Sequence, residues 1–94
     1  MANSPPYHVE VSPAANRDLQ KLKERILKQD FDRLCKAVDK LVKEPRPHGV
    51  RKIKGAVTAY RIRVSNYRIV YDVYDEEKLV VILQVKRRSE TTYK

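Results

Sequence analysis

Two alternating runs with only two residues between them constrain this chain more than anything else in it. They are Ala59-Tyr60-Arg61-Ile62-Arg63-Val64 and Tyr67-Arg68-Ile69-Val70-Tyr71, separated by Ser65-Asn66. A two-residue hairpin turn sets the register by counting. Val64 then faces Tyr67, Ile62 faces Ile69 and Tyr60 faces Tyr71, so one side of the ribbon is wholly apolar. On the other side Arg63 lies opposite Arg68, with Arg61 about 7 Å further along, two strand rises away. Like charges set directly across a strand pair destabilise it. Three guanidiniums on one patch of sheet bring a fold nothing, so an anionic ligand is the natural reason for them, most simply a phosphate. The whole stretch from Arg51 to Tyr71 carries six basic residues (Arg51, Lys52, Lys54, Arg61, Arg63, Arg68) and no carboxylate.

At 94 residues the chain is expected to be a single domain, 1–94. Its hydrophobic content of 41% supports one modest core and lies outside the range of disordered chains. A net charge of +9 points to nucleic acid, anionic lipid or an acidic protein partner, against the bland alternative of general solubility. The placement of the charge decides between them. Residues 1–50 hold 10 basic and 7 acidic side chains, whereas residues 51–94 hold 11 and 5. Three of those five acids are crowded into Asp75-Glu76-Glu77, read here as a solvated turn, so the excess positive charge sits on the C-terminal strands. The lone Cys35 cannot form an internal disulfide, and a reducing cytoplasm fits. Its place among apolar positions of a helical pattern predicts packing. No apolar run approaches ~18 residues, and the N-terminus lacks a signal-peptide core, so a cytoplasmic location without a membrane partner is expected.

Residues 1–6 read as a disordered lead. Tyr7 to Val11 alternates as a strand, with Tyr7, Val9 and Val11 inward. Ser12-Pro13 is a helix start, Ser as N-cap and Pro at the first helical position. A first helix runs to about Lys23 with Ala15, Leu19 and Leu22 on one face. A second covers roughly Arg25 to Lys43, where Leu27, Phe31, Leu34, Val38, Leu41 and Val42 recur at helical spacing, and Pro45 and Pro47 end it. The polar side of this pair mixes Lys, Arg, Asp and Glu and reads as a solvated face. After a loop from Glu44 to Val50, strands are expected at about 58–64, 67–74 and 79–87. The fold class is α+β in the order β-α-α-β-β-β, a curved, largely antiparallel sheet with a two-helix hairpin on one face.

A turn centred on Glu76-Glu77 pairs Tyr74 with Leu79 and Asp72 with Val81. Continued without interruption, that register puts Arg68, Val70 and Asp72 on one face with Leu79, Val81, Leu83, Val85 and Arg87. Arg61, Arg63, Arg68 and Arg87 would then all project away from the helices. The same face carries Val70, Val81 and Leu83, an apolar strip that the helices cannot cover and a partner chain would.

These residues resemble the RelE/ParE superfamily of bacterial toxins, and its RelE-type mRNA-cleaving branch in particular. The similarity rests on Lys52-Ile53-Lys54-Gly55, Tyr60-Arg61-Ile62-Arg63-Val64, Tyr67-Arg68-Ile69-Val70-Tyr71, and Lys86-Arg87-Arg88 with Tyr93 six residues after Arg87. It implies the toxin of a type II toxin–antitoxin system: a metal-independent, cofactor-free endoribonuclease that cuts mRNA in the ribosomal A site and so inhibits translation. The catalytic positions carried over are Arg61, Arg63, Arg68, Arg87 and Tyr93. Lys52, Lys54 and Arg88 would bind RNA phosphates, and Val70, Val81 and Leu83 would seat an antitoxin. The implied partners are mRNA, the ribosome, and a cognate antitoxin that doubles as a DNA-binding repressor with the toxin as corepressor. Two departures from the family stand out. Arginine at both Arg61 and Arg63 leaves neither able to act as a base, and no histidine stands in or near the C-terminal motif.

The residues support such chemistry. Attack by an RNA 2′-OH needs a proton acceptor, cations for the charge building on phosphorus, and a donor to the 5′ leaving oxygen. Planar guanidiniums grip two non-bridging oxygens at once, which suits Arg61, Arg63 and Arg68. Arg87 would stabilise the leaving oxygen, and Tyr93 would stack on a base or take the 2′-OH proton. His8 and His48 have no partners at metal-ligand spacing. Two other classes compete: a non-catalytic ParE-like inhibitor of a DNA topoisomerase, and a basic nucleic-acid-binding module. The first does not need this gathering of arginines and tyrosine. The second lacks a stacking platform, because the register turns Tyr60, Tyr67 and Tyr71 toward the core.

Overall fold

The computed structural model describes residues 6–87. They form β1 (His8–Val11), α1 (Pro13–Arg25), α2 (Lys28–Lys40), β2 (Arg51–Lys52), β3 (Ala59–Val64), β4 (Tyr67–Tyr74) and β5 (Leu79–Arg87). The expected α+β architecture is present, with one strand more than the sequence suggested. Five strands make one sheet in the order β1-β5-β4-β3-β2. β1 runs parallel to β5 and the remaining pairs are antiparallel. Most of the lead, residues 1–5, falls outside the described residues, as do Arg88 and Tyr93.

Local chemistry accounts for the helix starts. Ser12 Oγ accepts a hydrogen bond from the Ala15 amide at 3.1 Å, with Pro13 opening α1, so an otherwise orphaned amide is satisfied. α2 starts three residues later than expected and without a side-chain cap, because Leu27 takes an extended backbone at the join. Leu27 is consequently 64% exposed rather than packed. Two further inward assignments fail: Val11 is also exposed, and so is Cys35.

Both helices cover one face of the sheet. Ala15 of α1, Leu34 of α2 and Leu41 just after it meet Tyr67, Ile69, Tyr71, Val80, Ile82 and Val85 in one core. The β3–β4 register is the one obtained by counting: Val64 with Tyr67, Ile62 with Ile69, Arg63 with Arg68 and Tyr60 with Tyr71. Ser65 takes φ 55°, the positive φ that a two-residue hairpin turn requires.

The β4–β5 register follows counting only part of the way. Tyr74 pairs with Leu79 and Asp72 with Val81, but Tyr71 pairs with Ile82 and Val70 with Gln84. Leu83 is the extra residue of a β-bulge, and a bulge reverses the alternation beyond it. Val85 therefore pairs with Ile69 and is buried in the core, and Arg87 pairs with Tyr67 on the same side. The expectation that Arg87 shares a face with Arg68 is overturned. Lys86 takes the place opposite Arg68 instead.

Candidate nucleic-acid site on the outer sheet face

The face turned away from the helices carries a band of cations. Arg51 of β2 pairs with Arg61 of β3. Two residues on, Arg63, Arg68 and Lys86 form a row across β3, β4 and β5. Alternation places all five on the outer face at the backbone, and the Lys86 ammonium turns back to Asp18 of α1. Arg51, Arg61 and Arg63 line a cleft of about 220 Å3 together with Gly49, whose φ of 90° lets the loop turn there. Arg68 sits deeper: its side chain is half-buried and its Nε is shut off from solvent. In such a setting a guanidinium interacts with an anion more strongly than on an open surface. The arrangement presents several planar forks to one small anionic group, the geometry that grips a phosphodiester.

Residues 9–92 match the family described as the ParE toxin of the type II toxin–antitoxin system parDE. The chain is 34% identical to the toxin RelG of Mycobacterium tuberculosis over 85 residues, covering 90% of this chain and 94% of that one. The chain belongs to the RelE/ParE superfamily of toxins. A second Mycobacterium tuberculosis relative, the toxin RelE, is 30% identical over 89 residues. Among solved structures, the archaeal RelE–RelB complex from Pyrococcus horikoshii superposes with a TM-score of 0.76 at 28% identity, covering 92% of this chain and 99% of the other. The Mycobacterium tuberculosis toxin–antitoxin complex RelBE2 gives 0.72 at 27% identity, covering 88% and 99%. With relatives of these names, the chain is a RelE-like toxin.

Not every residue singled out in the sequence lies at this toxin's cleft. Arg61 and Arg63 do, and Arg68 adjoins them. Arg51, given no role beforehand, joins them through the pairing of the short β2, a strand that the sequence did not suggest. Lys52 pairs with Tyr60 and so lies on the helix side of the edge strand. Lys54 is exposed in the turn that follows β2. Val70, Val81 and Leu83 keep to the outer face, but the strip is less open than expected. Val70 is only 6% exposed, flanked in register by Arg61 and Gln84, while Val81 and Leu83 are half-buried.

The RelE-like scaffold around the cleft is held by polar contacts that sequence reasoning did not find. Asp18 of α1 accepts from the Val85 amide at 3.1 Å and from Lys86 Nζ at 2.9 Å. It thus caps the edge of β5 where β1 no longer pairs, and draws Lys86 toward α1. Asp75, read as part of a solvated turn, is instead a hub. Arg46 donates to both its oxygens at 3.0 and 2.8 Å, and the Tyr7 hydroxyl donates at 2.6 Å. Those bonds, Arg46 first, hold the Asp75 carboxyl down to about 2. Arg46 also donates to the Tyr60 hydroxyl, and Tyr71, stacked on Tyr60, donates its own hydroxyl to the Pro45 carbonyl. Burial pushes the Tyr71 phenol well above its ordinary range. The loop that carries Gly49 to the cleft is pinned from behind by this chain of contacts.

Proposed function

We propose that this toxin is an endoribonuclease that cuts mRNA on the ribosome through attack of the RNA's own 2′-OH. The observation that carries the reading is the cleft lined by Arg51, Arg61 and Arg63 beside the half-buried Arg68. A ParE-like inhibitor of a topoisomerase has no use for this convergence of guanidiniums. A plain nucleic-acid-binding module would find no stacking platform in Tyr67, Tyr71 and Tyr60, the first two buried in the core and the third packed against it.

In the reaction the 2′-oxygen forms a bond to phosphorus and the bond to the 5′-oxygen breaks, leaving a 2′,3′-cyclic phosphate and a 5′-hydroxyl. Arg61, Arg63 and Arg68 hold the non-bridging oxygens as negative charge develops. Arg87, which the bulge turns to the Tyr67 side at the end of β5, would serve the leaving oxygen only by reaching around that strand end, and Tyr93 is assigned to stacking or to the 2′-OH proton. No metal or cofactor takes part in this scheme. A site whose cleft offers no conventional base gains most from a substrate held in a reactive shape, which is the physical case for the ribosome as the platform. Lys54 and Arg88 would add phosphate contacts.

The related archaeal structure is a RelE–RelB complex and the mycobacterial one a toxin–antitoxin complex, and a cognate antitoxin is proposed for this chain as well. Its seat is the strip of the half-buried Val81 and Leu83 beside the buried Val70, where apolar contacts supply affinity and acidic side chains meet the arginines. In the cell it would also act as repressor, with this toxin as corepressor.

The test maps mRNA ends in a translating extract treated with wild type, Arg61→Ala or Arg87→Ala. Discrete cuts at ribosome-occupied codons are expected with wild type, and their loss with Arg61→Ala. If Arg87→Ala cuts as wild type, the leaving-group role of Arg87 is wrong. If wild type makes no cuts while DNA supercoiling by gyrase stops, the topoisomerase reading replaces this one.

A further inference from the structure

A second concavity lies around the corner from the arginine cleft, between α2 and the outer edge of β3. β2 pairs with β3 only at Tyr60 and Arg61, so beyond Arg61 no described strand continues along that edge, and a groove of about 390 Å3 opens there. Its floor is apolar, made by Ala37, Pro47, Ile62 and Val64. Its rim is basic: Arg33, Lys36 and Lys40 on α2 and Arg63 on β3. No carboxylate lines it among the described residues, although Asp30 stands 3.9 Å from Arg33.

Arg33, Lys36, Ala37 and Lys40 follow the spacing of one helical face. Asp32 and Asp39 flank Lys36 four residues before it and three after but do not line the groove; burial first, and then these two carboxylates, raise the Cys35 thiol. Lys36 and Lys40 are four apart, and like charges at that spacing oppose the helix. The groove is also continuous with the cleft, since Arg63 lines both and the neighbours His48 and Gly49 line one each.

From this we infer that the groove is a second subsite for single-stranded RNA, taking the nucleotides that continue from the phosphate held in the cleft. A base lies against the floor of Ile62, Val64 and Pro47, and the following phosphates run along Arg33, Lys36 and Lys40. The inference rests on the RNA-cleaving reading of the cleft. It adds that the strand leaves the sheet by wrapping around the β3 edge onto α2, so Lys36 and Lys40 set affinity for length and take no part in bond breaking.

The test is equilibrium binding of the full chain to two uncleavable 2′-O-methyl RNAs, a dinucleotide and a strand of about ten nucleotides, the latter within the usual single-strand site range. Wild type is compared with Lys36→Gln/Lys40→Gln, which keeps good helix formers in place, and with Arg61→Ala. The double variant is expected to bind the longer strand about tenfold more weakly. Its salt slope should fall by about 1.4, the value for two lost single-strand phosphate contacts. Its affinity for the dinucleotide should be unchanged, and Arg61→Ala should weaken both probes. The inference is overturned if the double variant binds the longer strand as wild type does, if it loses the dinucleotide equally, or if neither probe binds wild type. It is also overturned if a poly-glutamate peptide displaces the strand as well as RNA does, or if the variant loses ribosomes while keeping the strand. If the groove arm holds and only Arg61→Ala is silent, the subsite stands and the cleavage reading of the cleft is the part that fails.

Discussion

Strand β4 meets its two neighbours in different ways. Against β3 it keeps a single register from Tyr67–Val64 to Asp72–Ala59. Against β5 it keeps register only from Tyr74–Leu79 to Tyr71–Ile82, then slips at Leu83. The β3 side is closed by a turn of two residues and needs nothing beyond its own chain. The β5 side is held around the slip by groups from α1 and its cap. The Ser12 amide bonds the Ile82 carbonyl, the Ser12 hydroxyl bonds the Leu83 carbonyl, and Asp18 takes the Val85 amide. Register next to a tight turn is thus a local property, whereas register past a bulge belongs to the tertiary structure. Arg61, Arg63 and Arg68 stand on the local side, and Arg87 on the tertiary side.

The largest effect is expected where the two sides meet. Arg68 stands between Arg63 and Lys86, and Arg68→Ala should lower cleavage about a hundredfold or more, as loss of one transition-state donor does. The melting temperature should stay within a few degrees, because removing one of several like charges relieves repulsion. A large drop in melting temperature would make Arg68 structural and remove the functional argument.

Asp18→Ala strikes only the tertiary side. The Asp18 side chain is 11% exposed, and its loss leaves an edge amide and an ammonium without their acceptor. A destabilisation of about 2 kcal/mol is expected, or about 10 °C in melting temperature for a domain of this size. Asp18→Asn can still accept from Val85 and should lose about half as much. Hydrogen exchange should quicken at Val85 to Arg87 and not in the β3–β4 hairpin; equal quickening in both would erase the distinction drawn between them.

Val81→Asp examines the outer face of β5 before the slip. A carboxylate there, opposite Asp72, would face the acidic segment proposed for the antitoxin and should weaken the complex by somewhat more than tenfold, about 1.4 kcal/mol. Unchanged affinity in a folded variant would move the antitoxin's seat elsewhere.

The smallest effect concerns the Asp75 hub at the β4–β5 turn. Its folded value of about 2 lies below the ordinary 3.8, so the bonds to Arg46 and Tyr7 add stability above the ordinary value. That contribution disappears as pH falls from about 4 toward 2. Asp75→Asn should melt roughly one or two degrees below wild type near neutrality, since the site is exposed. The gap should close across the acid range. A gap that persists at low pH would mean that the carboxylate charge is not what matters at this turn.

Much of the fold was legible from periodicity. The Ser65-Asn66 hairpin, the inward tyrosines, the capped start of α1 and the outward Arg61, Arg63 and Arg68 all follow from neighbours within a few positions. The failures have a common physical origin. Leu27 and Cys35 fit an apolar pattern at helical spacing, but the extended backbone at Leu27 splits the helices and shifts which face is covered. Val11 alternates correctly yet ends β1, an edge strand of the sheet, and is left exposed there.

What the sequence determined by itself is whatever contacts along the chain can decide: the elements, the hairpin register, and a patch of like charge that folding does not explain. Only the tertiary structure decided the bulge at Leu83, the reversal of Arg87, the joining of Arg51 to the cleft, and the pairing of Asp75 with Arg46. Each depends on groups far apart in sequence, such as Asp18 with Val85 and Arg46 with Asp75. A single slipped residue turns every later side chain to the other face, and no pattern of alternation within β5 records which of its residues is the extra one.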